Sequence, residues 1–233
     1  MFDYDGTLVP IAGRPEEAYP DAGLKELLKK ITSKPGTCLA VISGRALEGL
    51  KNMFQGVPLI LAGNHGSLLQ FPGRRPVALG PVPSPELTRK IAAAAGEAAR
   101  GIEGLLVEDK GTSVALHYRL AEPQKGLAAA ARFRELVEPY LASGYEIITG
   151  KKMVEARPRG SHKGLAVNYL ISRFPRAFPC FFGDDLTDED AFAALGSRGL
   201  SVLVGRPRET LAAYHLPGPE AVRELLVKLA GFQ

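Results

Sequence analysis

Apolar positions along the chain fall into two kinds of segment that take turns. Thr37–Ser43 (TCLAVIS), Pro58–Ala62 (PLILA), Ala177–Phe182 and Leu200–Val204 are short apolar runs. Their length and their branched or aromatic content suit strands buried on both faces. Beside them lie stretches with helical spacing: Pro20–Ile31 (Leu24, Leu27, Leu28, Ile31), the segment after Ser43-Gly44 through Met53, Gly164–Phe174 and Pro219–Leu229. Strand, helix and strand in succession predict a parallel sheet with helices on both faces. Met1–Asp5 reads as the end of one more strand, turned by Gly6 and Thr7. Only Met1 and Phe2 precede Asp3, so this strand is expected to be short for a buried one, as a clipped start would leave it.

The rhythm breaks at residues 72–85, where five prolines (Pro72, Pro76, Pro81, Pro83, Pro85) predict an irregular linker. Leu87–Arg100 and Gly126–Leu141 then carry helical patterns. Leu105–Lys110 and Thr112–Arg119 alternate on either side of Gly111, and Tyr145–Thr149 and Lys152–Ala156 on either side of Gly150. Two hairpins, each preceded by a helix, make an αββαββ unit that Pro158 and Gly160 close. The expected architecture is α/β. A doubly wound parallel-sheet core, residues 1–82 and 158–233, is interrupted by an inserted α+β domain at 83–157.

Composition narrows the function. Hydrophobic residues make up 45% of the 233 and charged residues 23%, as in an ordinary globular protein. Cys38 and Cys180 sit in apolar runs and are expected as reduced core residues; two cysteines are too few for a Cys-rich metal site. The net charge of +4 suits anionic partners such as phosphate esters. The basic residues are scattered, no Lys/Arg run reaches five and tryptophan is absent, so no nucleic-acid partner is expected. No apolar stretch approaches the roughly 20 residues of a membrane span. No basic segment leads into an apolar one at the N-terminus, so a cytoplasmic enzyme is expected.

Four short motifs carry candidate chemistry. Asp3-Tyr4-Asp5-Gly6-Thr7 ends the first strand, at the sheet edge where α/β folds bind ligands; alone it also reads as a solvated turn. Gly183-Asp184-Asp185-Leu186-Thr187-Asp188-Glu189-Asp190 puts five acidic side chains within seven residues, directly after an apolar strand. Part of that cluster suits a helix start, but paired aspartates at a strand end fit a hard, oxygen-ligated cation such as Mg²⁺. Ser43-Gly44-Arg45 offers a hydroxyl and backbone N–H groups to an anion, or simply an N-cap. Lys163, in Gly160-Ser161-His162-Lys163-Gly164, is a cation suited to phosphate or an ordinary surface lysine. Each falls at a strand end or helix start of the same parallel domain, so all four can converge on one sheet edge. Together they describe phosphoryl transfer to a carboxylate.

These motifs resemble the four signature motifs of the haloacid dehalogenase superfamily, with the insertion between the Ser and Lys motifs as in members with the larger cap. Further strings resemble the trehalose-6-phosphate phosphatase family: Ser43-Gly44-Arg45, Gly63-Asn64-His65-Gly66, Glu108-Asp109-Lys110-Gly111, His117-Tyr118-Arg119, Glu155-Ala156-Arg157-Pro158, Lys163-Gly164 and Gly183 through Phe192. Ser161-His162 replaces a more usual pairing before the motif lysine.

The resemblance implies that Asp3 is a nucleophile forming an aspartyl-phosphate, and that Asp5 is first acid and then base. It implies Mg²⁺ held by Asp3, the Asp5 backbone carbonyl and Asp184, with Asp185 and Asp188 in support. Ser43 and Lys163 would bind phosphoryl oxygens, and Lys163 would sit near Asp3 and keep it ionised. The inserted domain would act as a cap, with Glu108, Lys110, Arg119 and Glu155 on the sugar hydroxyls and Arg45 and His65 lining the cleft. The implied substrate is trehalose 6-phosphate, with a functional link to a trehalose-6-phosphate synthase. Competing readings are a phosphatase for sucrose phosphate, mannosyl-glycerate phosphate or a simple hexose phosphate, a phospho-aspartate signalling switch, and a catalytically silent sugar-phosphate binder. A switch has no use for Asp5 as a leaving-group acid or for a cap, and the intact Asp3–Asp5 pair argues against a silent binder.

Overall fold

A computed structural model of the chain describes residues 1–14 and 17–231. The described residues form two compact units, residues 1–80 with 162 onward, and residues 81–161.

In the first unit, β1 (Ala40–Ile42) pairs in parallel with β2 (Ile60–Gly63), and β9 (Cys180–Gly183) with β10 (Leu200–Val204), which pairs with β11 (Tyr214–Leu216). Phe2 joins the two groups by parallel bridges to Val41 and Phe182. The opening strand is therefore the centre of the sheet, although it is only a bridge long. Hydrogen bonds from Phe2 N to Ala40 O (2.9 Å), Asp3 N to Phe182 O (2.8 Å) and Ile42 N to Phe2 O (2.8 Å) hold it on both sides. The Phe2 ring stacks on Phe182 at 4.7 Å.

Strand alternation divides the apolar residues between two faces. Val41, Leu61 and Phe182 pack with Leu24, Leu28, Leu50, Val222 and Leu226, from α1 (Ala22–Thr32), α2 (Leu47–Met53) and α7 (Pro219–Gly231). Ala40, Ile42, Ile60, Ala62 and Phe181 pack instead with Val167, Leu170, Phe192 and Leu195, from α5 (Lys163–Arg173) and α6 (Glu189–Leu195). The sheet is thus doubly wound.

Several elements depart from the sequence expectation. β3 (Leu68–Gln70) and β4 (Val77–Ala78) add an antiparallel edge after β2. The proline-rich linker therefore contains a strand. Val77 and Ala78 are exposed and only two residues long, which suits an edge with prolines beside it. β11 likewise has exposed residues and no apolar run to announce it. The cysteines correct the core expectation: Cys38 is exposed, Cys180 is only partly buried, and both are free. β1 starts at Ala40, so Thr37 and Cys38 lie before the buried strand.

The second unit follows the order α3 (Pro85–Ala99), β5 (Leu106–Asp109), β6 (Val114–His117), α4 (Pro123–Leu141), β7 (Tyr145–Gly150), β8 (Met153–Pro158). Both helices open with proline, where the missing N–H has no intrahelical partner to lose. The sheet is antiparallel, in the order β5-β6-β8-β7. One face (Val114, Leu116, Val154, Ala156, Tyr145) packs with Ile91, Ala95, Phe133 and Val137 of α3 and α4. Paired residues share a face, so the Glu108↔Ala115 and Ala115↔Glu155 partners put both glutamates on the other one.

Candidate active site

The parallel strands of the first unit all point the same way. Residues just after Phe2, β1, β2 and β9 therefore gather at one edge, and these residues are Asp3, Ser43, Asn64 with His65, and Asp184.

Lys163 is the centre of the arrangement. It opens α5, where a cation opposes the helix dipole. Its ammonium is buried and donates to Asp3 Oδ1 (2.6 Å) and Asp188 Oδ1 (2.8 Å). Burial alone would discourage that charge, but Asp188 and Asp3 outweigh it and raise the lysine's proton affinity above its usual value. Asp3 is also buried. Desolvation raises its pKa well above its usual value, against the pull of Lys163 that the resemblance implied would keep it ionised, and Asp188 and Asp184 add to the rise.

Asp188 builds the loop as well as the site. Its Oδ2 accepts from the backbone N–H groups of Asp184 (3.0 Å) and Asp185 (2.9 Å). Asp185 caps the following 3-10 turn by accepting from Leu186 N at 2.7 Å. The five-acid run therefore divides its work. Asp3, Asp184 and Asp188 bring carboxylate oxygens within 4.8 Å of one another, and Asp185 shapes the turn. Two glycines make this approach feasible. A Cβ on Gly6, which has φ +91°, would overlap the Asp184 carboxylate, and one on Gly183 would overlap that of Asp188. Three hard oxygen donors against one ammonium fit a hard divalent cation better than they fit each other.

The remaining motif residues sit around this centre. Ser43 is buried, and its Oγ accepts from Arg45 N at 3.2 Å. Asp5 turns away from Lys163 to Arg45, which donates through Nε to Oδ2 (2.7 Å) and through Nη2 to Oδ1 (2.6 Å). His65 packs its ring against Gly44, and its backbone N–H donates to Ser43 O at 3.1 Å. Asn64 and His65 both have positive φ, a conformation uncommon outside glycine. The Asn64 side chain accepts from Leu47 N at 3.1 Å and so caps α2, whose own cap residue, Ala46, has no side chain to do it.

On the second unit's polar face, Glu155 is fully buried and accepts from Lys110 Nζ (2.9 Å) and Ser113 Oγ (2.6 Å). Glu108 bonds His117 at 2.8 Å and lies 4.0 Å from Lys110. Arg119 is exposed and donates to Lys151 O at 2.9 Å, apart from that network.

Residues 1–218 match the trehalose-phosphatase family model. The chain belongs to the trehalose-phosphatase family. It is 35% identical over 230 residues to the bifunctional trehalose-6-phosphate synthase/phosphatase of Thermoproteus tenax, covering 98% of this chain and 31% of that protein. It is 29% identical over 247 residues to trehalose-phosphate phosphatase B of Arabidopsis thaliana, covering 98% and 65%. The chain thus spans from about a third to under two thirds of these relatives' lengths. The solved structure of the C. albicans trehalose-6-phosphate phosphatase C-terminal domain superposes with a TM-score of 0.87 at 28% identity, covering all of this chain and 91% of that one.

Within this trehalose-phosphatase fold, three contacts had no signal in the sequence. The Arg45–Asp5 pair spans 40 residues. Ser113 supports Glu155 from the loop before β6. Arg208 donates to the Asp185 carbonyl at 2.8 Å and pairs with Glu189, tying the loop after β10 to the acidic loop. No local pattern marks such pairs, because each partner alone is an ordinary polar residue.

Proposed function

We propose that the protein is a Mg²⁺-dependent phosphatase that hydrolyses trehalose 6-phosphate to trehalose and phosphate. The observation that carries this reading is the Asp3–Lys163–Asp188–Asp184 cluster at the sheet edge of a trehalose-phosphatase family member. Asp3 attacks phosphorus as the bond to the sugar oxygen breaks, and Asp5 gives that oxygen its proton. Asp5 then takes a proton from the water that attacks the aspartyl-phosphate, and Asp3 is freed. One residue serves both steps because they need opposite proton transfers. Ser43 and Lys163 bind phosphoryl oxygens. Mg²⁺ would be held by Asp3, Asp184 and the Asp5 carbonyl with Asp188 and Asp185 in support, and when bound it offsets charge on the phosphoryl group.

Sugar choice is assigned to the polar face of the second unit's sheet, where Glu108 and Lys110 can bond hydroxyls, the buried Glu155 holds Lys110 in place, and Arg119 lies at the margin. His65 is assigned to the cleft beside Ser43. The enzyme is placed in the cytoplasm and in functional partnership with a trehalose-6-phosphate synthase. One relative's name joins the two activities, which supports the partnership; no helix among the described residues is long and apolar enough to cross a membrane.

The test is phosphate release from a panel of sugar phosphates, with and without EDTA, for the wild type and Asp3→Asn. Release that is fastest from trehalose 6-phosphate, stops in EDTA, returns with Mg²⁺ and is lost in a folded Asp3→Asn protein is expected. Full turnover in excess EDTA would remove the metal from the proposal, and near-normal turnover by Asp3→Asn would remove the nucleophile.

A further inference from the structure

We infer that Arg45 is a positioning residue for Asp5, acting on the leaving-group step through that carboxylate rather than by touching the sugar. This rests on the proposed role of Asp5 as proton donor. Both oxygens of Asp5 lie in the fork of one guanidinium, at 2.7 and 2.6 Å. Paired N–H donors fix the plane of a carboxylate as well as its place.

The guanidinium is itself held from several sides. Its carbon lies 5.2 Å from the centre of the Tyr4 ring, and Nη1 reaches Met53 Sδ at 3.8 Å. Tyr4 is fully buried, its hydroxyl donates to Ala18 O at 2.7 Å, and its ring meets Phe54 edge-on at 5.5 Å. The Arg45 backbone is pinned too, donating to Ser43 Oγ and accepting from Asn64 N at 2.8 Å. The arginine side chain is 14% exposed, against 37% for Asp5. The arginine is thus the fixed partner and the aspartate the member it aims.

Asp5 stands two residues beyond Asp3, and their carboxylates are drawn apart. Lys163 holds one and Arg45 the other. Without Arg45, Asp5 would be free to turn toward solvent or toward Lys163, and the proton would no longer be presented to the departing oxygen. Lysine cannot replace this function fully, because an ammonium lacks the fork.

The experiment is a double-mutant cycle, read as kcat/KM, which reports steps up to the first phosphoryl transfer. The variants are Arg45→Ala, Arg45→Lys, Asp5→Asn and Asp5→Asn combined with Arg45→Ala. The substrates are trehalose 6-phosphate, whose leaving group needs a proton, and p-nitrophenyl phosphate, whose leaving group does not. Arg45→Ala is expected to lose about 10- to 100-fold on the sugar phosphate, part of the 10²–10⁴ typical of acid–base groups, and under about threefold on the aryl ester. Arg45→Lys, which keeps the charge and most of the packing, should fall between wild type and Arg45→Ala. Removing Arg45 in the Asp5→Asn background should cost less than about twofold. Additive losses in the cycle, or equal losses on both esters with a raised KM, would instead make Arg45 a substrate contact and overturn the inference. A wild type inactive on every phosphate ester would overturn the proposed function, and this inference with it.

Discussion

At the residue scale, Lys163 shows how a local rule is broken where two buried carboxylates supply the compensation. A lysine at the first position of a helix is disfavoured by the dipole, and a buried one is disfavoured by desolvation. Both penalties are offset by Asp3 and Asp188. The reverse dependence follows. Lys163→Met keeps the length and apolar stem but leaves three close carboxylates without their ammonium. Turnover is expected to fall by about 10²–10³, the scale of one preorganised electrostatic contact. The urea midpoint in metal-free buffer should fall as well, because breaking a buried pair costs about 3–5 kcal/mol. Phosphate release and urea unfolding on the same sample check both; a rate change under about threefold would leave Lys163 a purely structural residue. Its identity as a candidate was legible from its place before an apolar helix, and its nearness to Asp3, 160 residues away, from the family resemblance; its second partner, Asp188, 25 residues away, was not legible.

At the scale of elements, the apolar runs of β1, β2, β9 and β10 were legible because burial on both faces demands continuous hydrophobicity. The edge strands β3, β4 and β11 were not, because an edge needs little apolar content and takes its pairing from a neighbour. Element ends depend on local caps, and α1 offers a test. Asp21 accepts from Leu24 N at 2.8 Å and also binds Arg223 of α7, at 2.5 and 2.8 Å. The bonds to Arg223 and the helix N-terminus lower its pKa from 3.8 to about 2. Because the folded value lies below the unfolded one, this contribution is complete above about pH 4 and is lost as pH falls toward 2. At pH 7 Asp21→Ala should lower stability by about 1 kcal/mol. Asp21→Asn keeps an acceptor for the cap and loses only an exposed ion pair, about 0.5 kcal/mol or less. Urea midpoints measured from pH 6 downward should show the wild-type advantage over Asp21→Asn shrinking below pH 4. A constant gap would mean the charge contributes nothing.

At the scale of the whole molecule, the two units have different sheets for different tasks. A parallel sheet sends its strand ends, and with them Asp3, Ser43 and Asp184, to one edge. An antiparallel sheet with helices on one face leaves the other face for polar side chains, and there Glu108, Lys110, Ser113, His117 and Glu155 form a bonded network. If that face chooses the sugar, Glu108→Gln and Glu155→Gln should each remove most of the preference for trehalose 6-phosphate over glucose 6-phosphate. Hydrolysis of p-nitrophenyl phosphate should change by less than about threefold, since groups built to bond hydroxyls discriminate only among ligands that carry them. Equal losses on all three substrates would show that the glutamates support the fold instead. Taken by itself, the sequence determined the doubly wound α/β core and the candidate motif residues, because hydrophobic period and strand-end residues are properties of short stretches. Tertiary structure decided that Lys163 also faces Asp188, that Asp188 joins Asp3 and Asp184 in one carboxylate cluster while Asp185 caps a turn, and that Arg45 grips Asp5. Those outcomes depend on distances between residues far apart in the chain, and no local pattern carries a distance.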